Sequence, residues 1–215
     1  MVTEVVPHRQ IRATHDERTI TVYQAYSPEI GDAALRAGTF VAPFKRERMT
    51  WIKPSLRWMG YRCGWGSKPG QERVLAIRIS HDGFRWALAH SCLSDFDRDV
   101  YADRAEWTRR LRESPVRIQW DPERGLHHEP LDHRTIQIGL RGEAVDRYVD
   151  EWISGVTDVT PLMRQIAGLV RDGSLDAARE LLPVETAYAI SDSSGPNQVS
   201  SAVRSSTDVP GSQAT

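Results

Sequence analysis

The chain is poor in several features, and each shortage removes a class of protein. Cysteine occurs only twice, at Cys63 and Cys92. That is too few for a disulfide framework, and the spacing is not that of metal ligands, so packing or a free thiol is expected and zinc chemistry is not. No stretch approaches the roughly eighteen consecutive apolar residues that a membrane helix requires. The opening MVTEVVPHRQ has no charged start followed by an apolar run, so a cytoplasmic protein without a membrane partner is expected. P-loop, GxGxxG, GxSxG, HExxH and kinase signatures are all missing, which disfavours nucleotide motors, Rossmann enzymes and serine hydrolases. Lysine is scarce as well, with three residues among 28 Lys and Arg.

What is present fits one soluble domain: 215 residues, 40% of them apolar and 27% charged. The net charge of −1 conceals a polarity along the chain. Lys45, Arg46, Arg48, Lys53, Arg57, Arg62, Lys68 and Arg73 are opposed there only by Glu47 and Glu72, while the stretch 143–189 is markedly acidic. All three lysines fall in the basic stretch, so an anionic partner is expected if these charges converge in space. A solvated basic face is the plainer alternative.

The pattern of residues gives an α+β reading with a central mixed or mainly antiparallel sheet. Residues 1–10 read as a loose N-terminus, 11–189 as a single domain and 190–215, rich in Ser, Gly and Pro, as a disordered tail. TITVYQAY at 19–26 reads as a strand, with Pro28 opening a helix that Gly38 stops. RMTWI at 48–52 is a second strand, and Pro54–Ser55 opens a helix ending near Gly64. Alternation predicts strands at 73–79, 116–120 and 135–140, the second stopping at Asp121–Pro122. Val145, Tyr148, Val149, Trp152 and Ile153 recur at helical spacing. Thr160 reads as an N-cap before Pro161, and a last helix runs from about Leu175 to Leu182.

Two stretches carry the candidate chemistry. In RMTWIKPSLRWMGYRCGW, Ser55, Trp58 and Arg62 share one helical face, and the helix start offers free N–H groups. An anion held there would also meet Lys53, Arg48 and the Ser55 hydroxyl, with Trp51 or Trp58 as a stacking surface. In RIQWDPER, Gln119 and Asp121 share a strand face and Trp120 points the other way, with Glu123 and Arg124 in the turn beyond; an ordinary Asp–Pro turn is the plainer alternative. Arg12, Tyr23, Gln24 and Tyr26 are polar groups beside or within a strand and are candidates for lining a cleft. His133 and Arg134 would add base or phosphate contacts. His127, His128 and His133 lack the further ligands a metal would need.

Together, IRATHDERTITVYQAY, RMTWIKPSLRWMGYRCGW, QWDPER and HRTIQIGL resemble a bacterial and fungal family catalogued as domain of unknown function 4291, over roughly Arg12 to Tyr188. A weaker, fold-level likeness joins VYQAYSPEIGDAALRAG, RMTWIKPSLRWMGY and Gln119-Trp120-Asp121 to the three NAD-holding units of ADP-ribosyltransferases and RNA 2′-phosphotransferases. Gln24 stands where those families often place His or Arg, and Asp121 where they place Glu, unless Glu123 serves instead. That likeness implies NAD as a substrate. Arg48 and Lys53 would hold its pyrophosphate, Gln119 would orient the sugar, and Asp121 or Glu123 would stabilise developing positive charge. The rival expectation is a nonenzymatic RNA or single-stranded DNA binding module using residues 45–73.

Overall fold

The computed structural model describes residues 6–190. The tail, from residue 191 onward, and residues 1–5 of the loose N-terminus lie outside the described residues. In chain order the elements are β1 (Arg12–Ala13), β2 (Thr19–Tyr26), α1 (Pro28–Ala37), β3 (Thr50–Ile52), α2 (Leu56–Cys63), β4 (Arg73–Ser80), α3 (His81–Ala89) and β5 (Ser91–Leu93). They continue with α4 (Arg104–Glu113), β6 (Val116–Arg124), β7 (Pro130–Leu140), α5 (Glu143–Arg147), β8 (Ile153–Asp158), α6 (Thr160–Arg171), α7 (Leu175–Glu180) and β9 (Thr186–Ala187). A single π-helical turn, Tyr148–Trp152, joins α5 to β8.

The fold is α+β, with one antiparallel and one mixed larger sheet. One sheet has the order β2-β4-β8 and is antiparallel throughout. The other has the order β3-β7-β6-β5, with only β5 and β6 parallel. β1 and β9 form a small ribbon of their own. The two larger sheets touch edge to edge through one bridge, in which Tyr23 and Lys53 exchange backbone hydrogen bonds of 2.7 and 3.3 Å.

Both sheets feed one apolar core. Ile20, Val22, Leu75 and Ile77 from one meet Ile52, Ile118, Ile136 and Ile138 from the other, closed by Phe84, Val145 and Tyr148. A second cluster gathers Tyr23 and Val74 with Leu56, Met59 and Cys63 of α2 and Met163 and Ile166 of α6. The alternation of β-branched residues along each strand produces this division, because successive side chains leave a strand on opposite faces. Cys63 and Cys92 are both free and buried.

Three local readings are corrected. β6 does not stop at Asp121–Pro122 but continues to Arg124, with a register shift after Pro122. Opposite Pro122, Arg134 sends its N–H to the His8 carbonyl, away from β6. That is the pair type in which neither residue bonds the other, so the missing proline donor costs no ladder bond. The helical stripe at 145–153 ends in the π turn, and Ile153 already begins β8. Thr160 is the first residue of α6 rather than its cap, since its hydroxyl accepts the Val74 N–H at 2.8 Å and ties the helix to β4.

Candidate functional site

Beyond the Tyr23–Lys53 bridge the two sheets no longer pair, and a cleft of about 570 Å³ opens along the seam. Its walls carry Gln24 and Tyr26 from β2, Thr50 and Trp51 from β3, Trp58 and Arg62 from α2, and Gln119 and Gln137 from β6 and β7. Gln119 and Gln137 are direct cross-strand partners, so their amides share one face. Gln24 is nearly inaccessible, and its amide holds the seam together. Nε2 donates to Thr50 Oγ1 at 2.7 Å and also faces the Tyr26 hydroxyl and the Trp51 carbonyl, while Oε1 accepts the Tyr148 hydroxyl at 2.8 Å.

Lys53 lies at the base of this cleft with 1% of its surface exposed. It follows the last residue of β3, and Pro54 ends that strand. Ser55 then caps α2, its hydroxyl accepting the Trp58 N–H at 3.1 Å. The first helical turn brings the Trp58 ring under the lysine, 3.0 Å from Nζ to the ring centroid. On its other side Nζ donates to Asp121 Oδ2 at 2.9 Å, and Gln119 Nε2 donates to Asp121 Oδ1 at 2.8 Å. Asp121 is thus held by two donors while 16% of its side chain still meets solvent. Burial pulls Lys53 down to about 7, against the opposing pull of Asp121. An amine so poised exchanges its proton near neutral pH, the condition general acid–base chemistry favours.

The remaining candidates are distributed elsewhere. Arg12, Glu123, His133 and Arg134 line a separate hollow of about 230 Å³, together with Arg57 and Glu185. Arg48 borders a third depression, next to Phe44 and Met49. Arg124 stacks over Tyr61 at 4.0 Å and belongs to neither hollow. Tyr23 is a core residue of the second cluster. The start of α2, where an anion was expected, is already occupied by a side chain of the protein: Glu185 Oε1 accepts the Leu56 N–H at 2.9 Å. Ser55 is spent on its cap and Lys53 turns to Asp121, so these groups and Arg48 do not surround a common point.

Part of the charge polarity of the sequence is neutralised in folding. Arg46 pairs with Asp146 and Asp150, and Arg73 pairs with Asp32 and Asp158. Two cations of the basic stretch therefore meet carboxylates of the acidic one, whereas Lys45, Arg48, Arg57, Arg62 and Lys68 form no ion pair among the described residues. Sequence reading overlooked Thr50, Gln137, Arg57 and Glu185. The Gln119–Gln137 register across two strands was the signal within reach for Gln137; Glu185 is brought in only by the tertiary fold. No group of three or more His, Cys, Asp or Glu suited to a metal occurs among the described residues. No helix there is long and apolar enough to cross a membrane.

An antiparallel and a mixed sheet meeting at a seam, with a polar cleft and a buried, carboxylate-paired lysine at its base, define an α+β protein with a built polar site. Residues 10–188 match the model of the family described as Domain of unknown function (DUF4291), and the chain belongs to that family. Among curated proteins none matches it.

Proposed function

We propose that the protein transfers the ADP-ribosyl group of NAD to a nucleic-acid or other acceptor, with the cleft at the sheet seam as its active site. The observation that carries this reading is Asp121, fixed by Lys53 and Gln119, two residues that line a cleft rich in amides beside a half-buried tryptophan. In the reaction the bond between ribose C1′ and the nicotinamide nitrogen breaks, and nicotinamide leaves with the electron pair. Positive charge develops on the ribose, and the preorganised Asp121 carboxylate stabilises it. An acceptor oxygen or nitrogen then bonds to C1′, and its proton passes to the neutral amine of Lys53. Trp51 offers the stacking face, because one face of Trp58 is taken by Lys53. Gln24, Gln119 and Gln137 supply amide contacts to ring or sugar edges.

In the rival reading, passive binding of single-stranded nucleic acid, the pairing of Arg46, Lys53 and Arg73 with carboxylates leaves five of the eight cations of 45–73 to meet a backbone. Such binding needs cations free to replace counterions along a backbone. Incubation with NAD and, separately, RNA, DNA and protein, read by mass spectrometry, tests the proposal. An ADP-ribose adduct that Asp121→Asn suppresses supports transfer. Nucleic-acid binding with steep salt dependence but no adduct supports the rival.

A further inference from the structure

We propose that the second hollow is a binding site for a small sugar phosphate, independent of what the main cleft does. The hollow lies at the far end of β6, where Glu123 lines it, and is closed by Arg12 of β1, Arg57 of α2, His133 and Arg134 of β7 and Glu185 after α7. At about 230 Å³ it is smaller than the cavities that take dinucleotides or drug-sized ligands. Glu123 is 3% exposed, and among the described residues its carboxylate accepts a single hydrogen bond, from the Arg124 N–H, 2.7 Å from Oε1. Among the described residues neither Glu123 nor Glu185 has an ion-pair partner within 4.0 Å, and the Arg57 guanidinium has no hydrogen-bond or ion-pair partner.

Three guanidiniums and the Glu123 carboxylate thus face one small space without pairing, although opposite charges left apart in a folded interior are costly, and Glu185, which burial keeps protonated near neutral pH, does not offset them. A ligand with two kinds of group accounts for the separation. Guanidiniums present paired N–H groups that match a phosphate. An ionised carboxylate only accepts, and sugar hydroxyls are the donors that satisfy it without adding positive charge. An amino acid would also offer a donor and an anion, but it is neutral overall, whereas the lining is cationic even with both glutamates ionised. Burial keeps His133 below the ordinary histidine range, so it meets a phosphate as a neutral hydrogen-bonding group near pH 7.

Calorimetric titration of the full chain with ribose 5-phosphate, inorganic phosphate, ribose and alanine tests the assignment. Ribose 5-phosphate should bind about tenfold or more tighter than any of the others, since only it engages both sets of groups. Arg57→Ala removes a side chain with no partner in the fold, so it should weaken binding about tenfold and leave stability unchanged. Glu123→Gln should narrow the gap between ribose 5-phosphate and phosphate, and Trp51→Ala, in the other cleft, should change nothing. Absence of binding overturns the proposal. So do equal affinities for phosphate and ribose 5-phosphate, tighter binding of alanine, or loss of binding in Trp51→Ala.

Discussion

Replacing Lys53 and Asp121 together, by Met and Asn, should stabilise the protein at neutral pH, and the gain should disappear in alkali. Burial lowers Lys53 from an ordinary 10.5 to about 7 even with Asp121 2.9 Å away. Between those two values the unfolded chain binds a proton that the folded chain does not. Native stability therefore climbs with pH across that window, by about 1.4 kcal/mol per unit, and the full cost is borne below about pH 7. The window sets an upper limit on the order of 5 kcal/mol. Water reaching Asp121 lowers it, and exchanges of a buried ion pair for packed neutral side chains typically gain about 1–4 kcal/mol. Methionine fills the space over the Trp58 ring with a polarisable sulfur, and asparagine keeps an oxygen for Gln119. Urea unfolding of both chains, from about pH 6 to about pH 10, gives the difference directly. A double variant less stable than the native chain at neutral pH, or a difference that does not move with pH, would show that Lys53 is a structural cation and not a residue kept at a cost for chemistry.

The same amine should govern rate. Transfer measured against pH should rise through about 7 as Lys53 loses its proton, and Lys53→Met should lose that limb; a flat native profile contradicts the role. Glu185 behaves oppositely, because burial pushes it up to about 8 from 4.5. Its contribution is intact below about pH 4.5 and is lost as pH rises through about 8, so melts at acid and alkaline ends of that window should diverge in the native chain. Glu185→Gln, which keeps an oxygen for the Leu56 N–H, should remove the divergence; parallel melts of the two chains count against it. At Gly83 an added Cβ would run into the buried Trp152 indole, so Gly83→Ala should cost about 1–3 kcal/mol by denaturant unfolding. An unshifted midpoint would mean that Trp152 can yield.

Strands and helices with strong local signals were legible in the sequence. β2 spans the eight residues its β-branched and aromatic run marks, and α1 stops where Gly38 takes a left-handed conformation at φ 72°. α4 was not legible, because none of its residues is fully buried and only Trp107 and Leu111 lean on the core, too few for a clear apolar stripe. Nor were three-residue β5 or β8, whose partial burial gives no clean alternation. At the site, the shared face of Gln119 and Asp121 followed from strand alternation, whereas its closeness to Lys53 is set by the tertiary fold. The split between two hollows did not, since it depends on the register shift after Pro122 and on Glu185 returning from the chain's far end. Which cations of the basic stretch are neutralised could not be read from it in isolation, because the carboxylates that do so lie far along the chain, as with Arg46 and Asp150.

Nicotinamide released from NAD in a single turnover, with the native chain and Asp121→Asn compared at equal protein and acceptor, bears most directly on the cleft as a catalytic centre. The native chain should release it, and the variant should do so about 10²–10³ times more slowly, the usual loss when one preorganised electrostatic group is removed. Equal rates in the two chains, or no release by the native chain with any acceptor, would contradict the assignment.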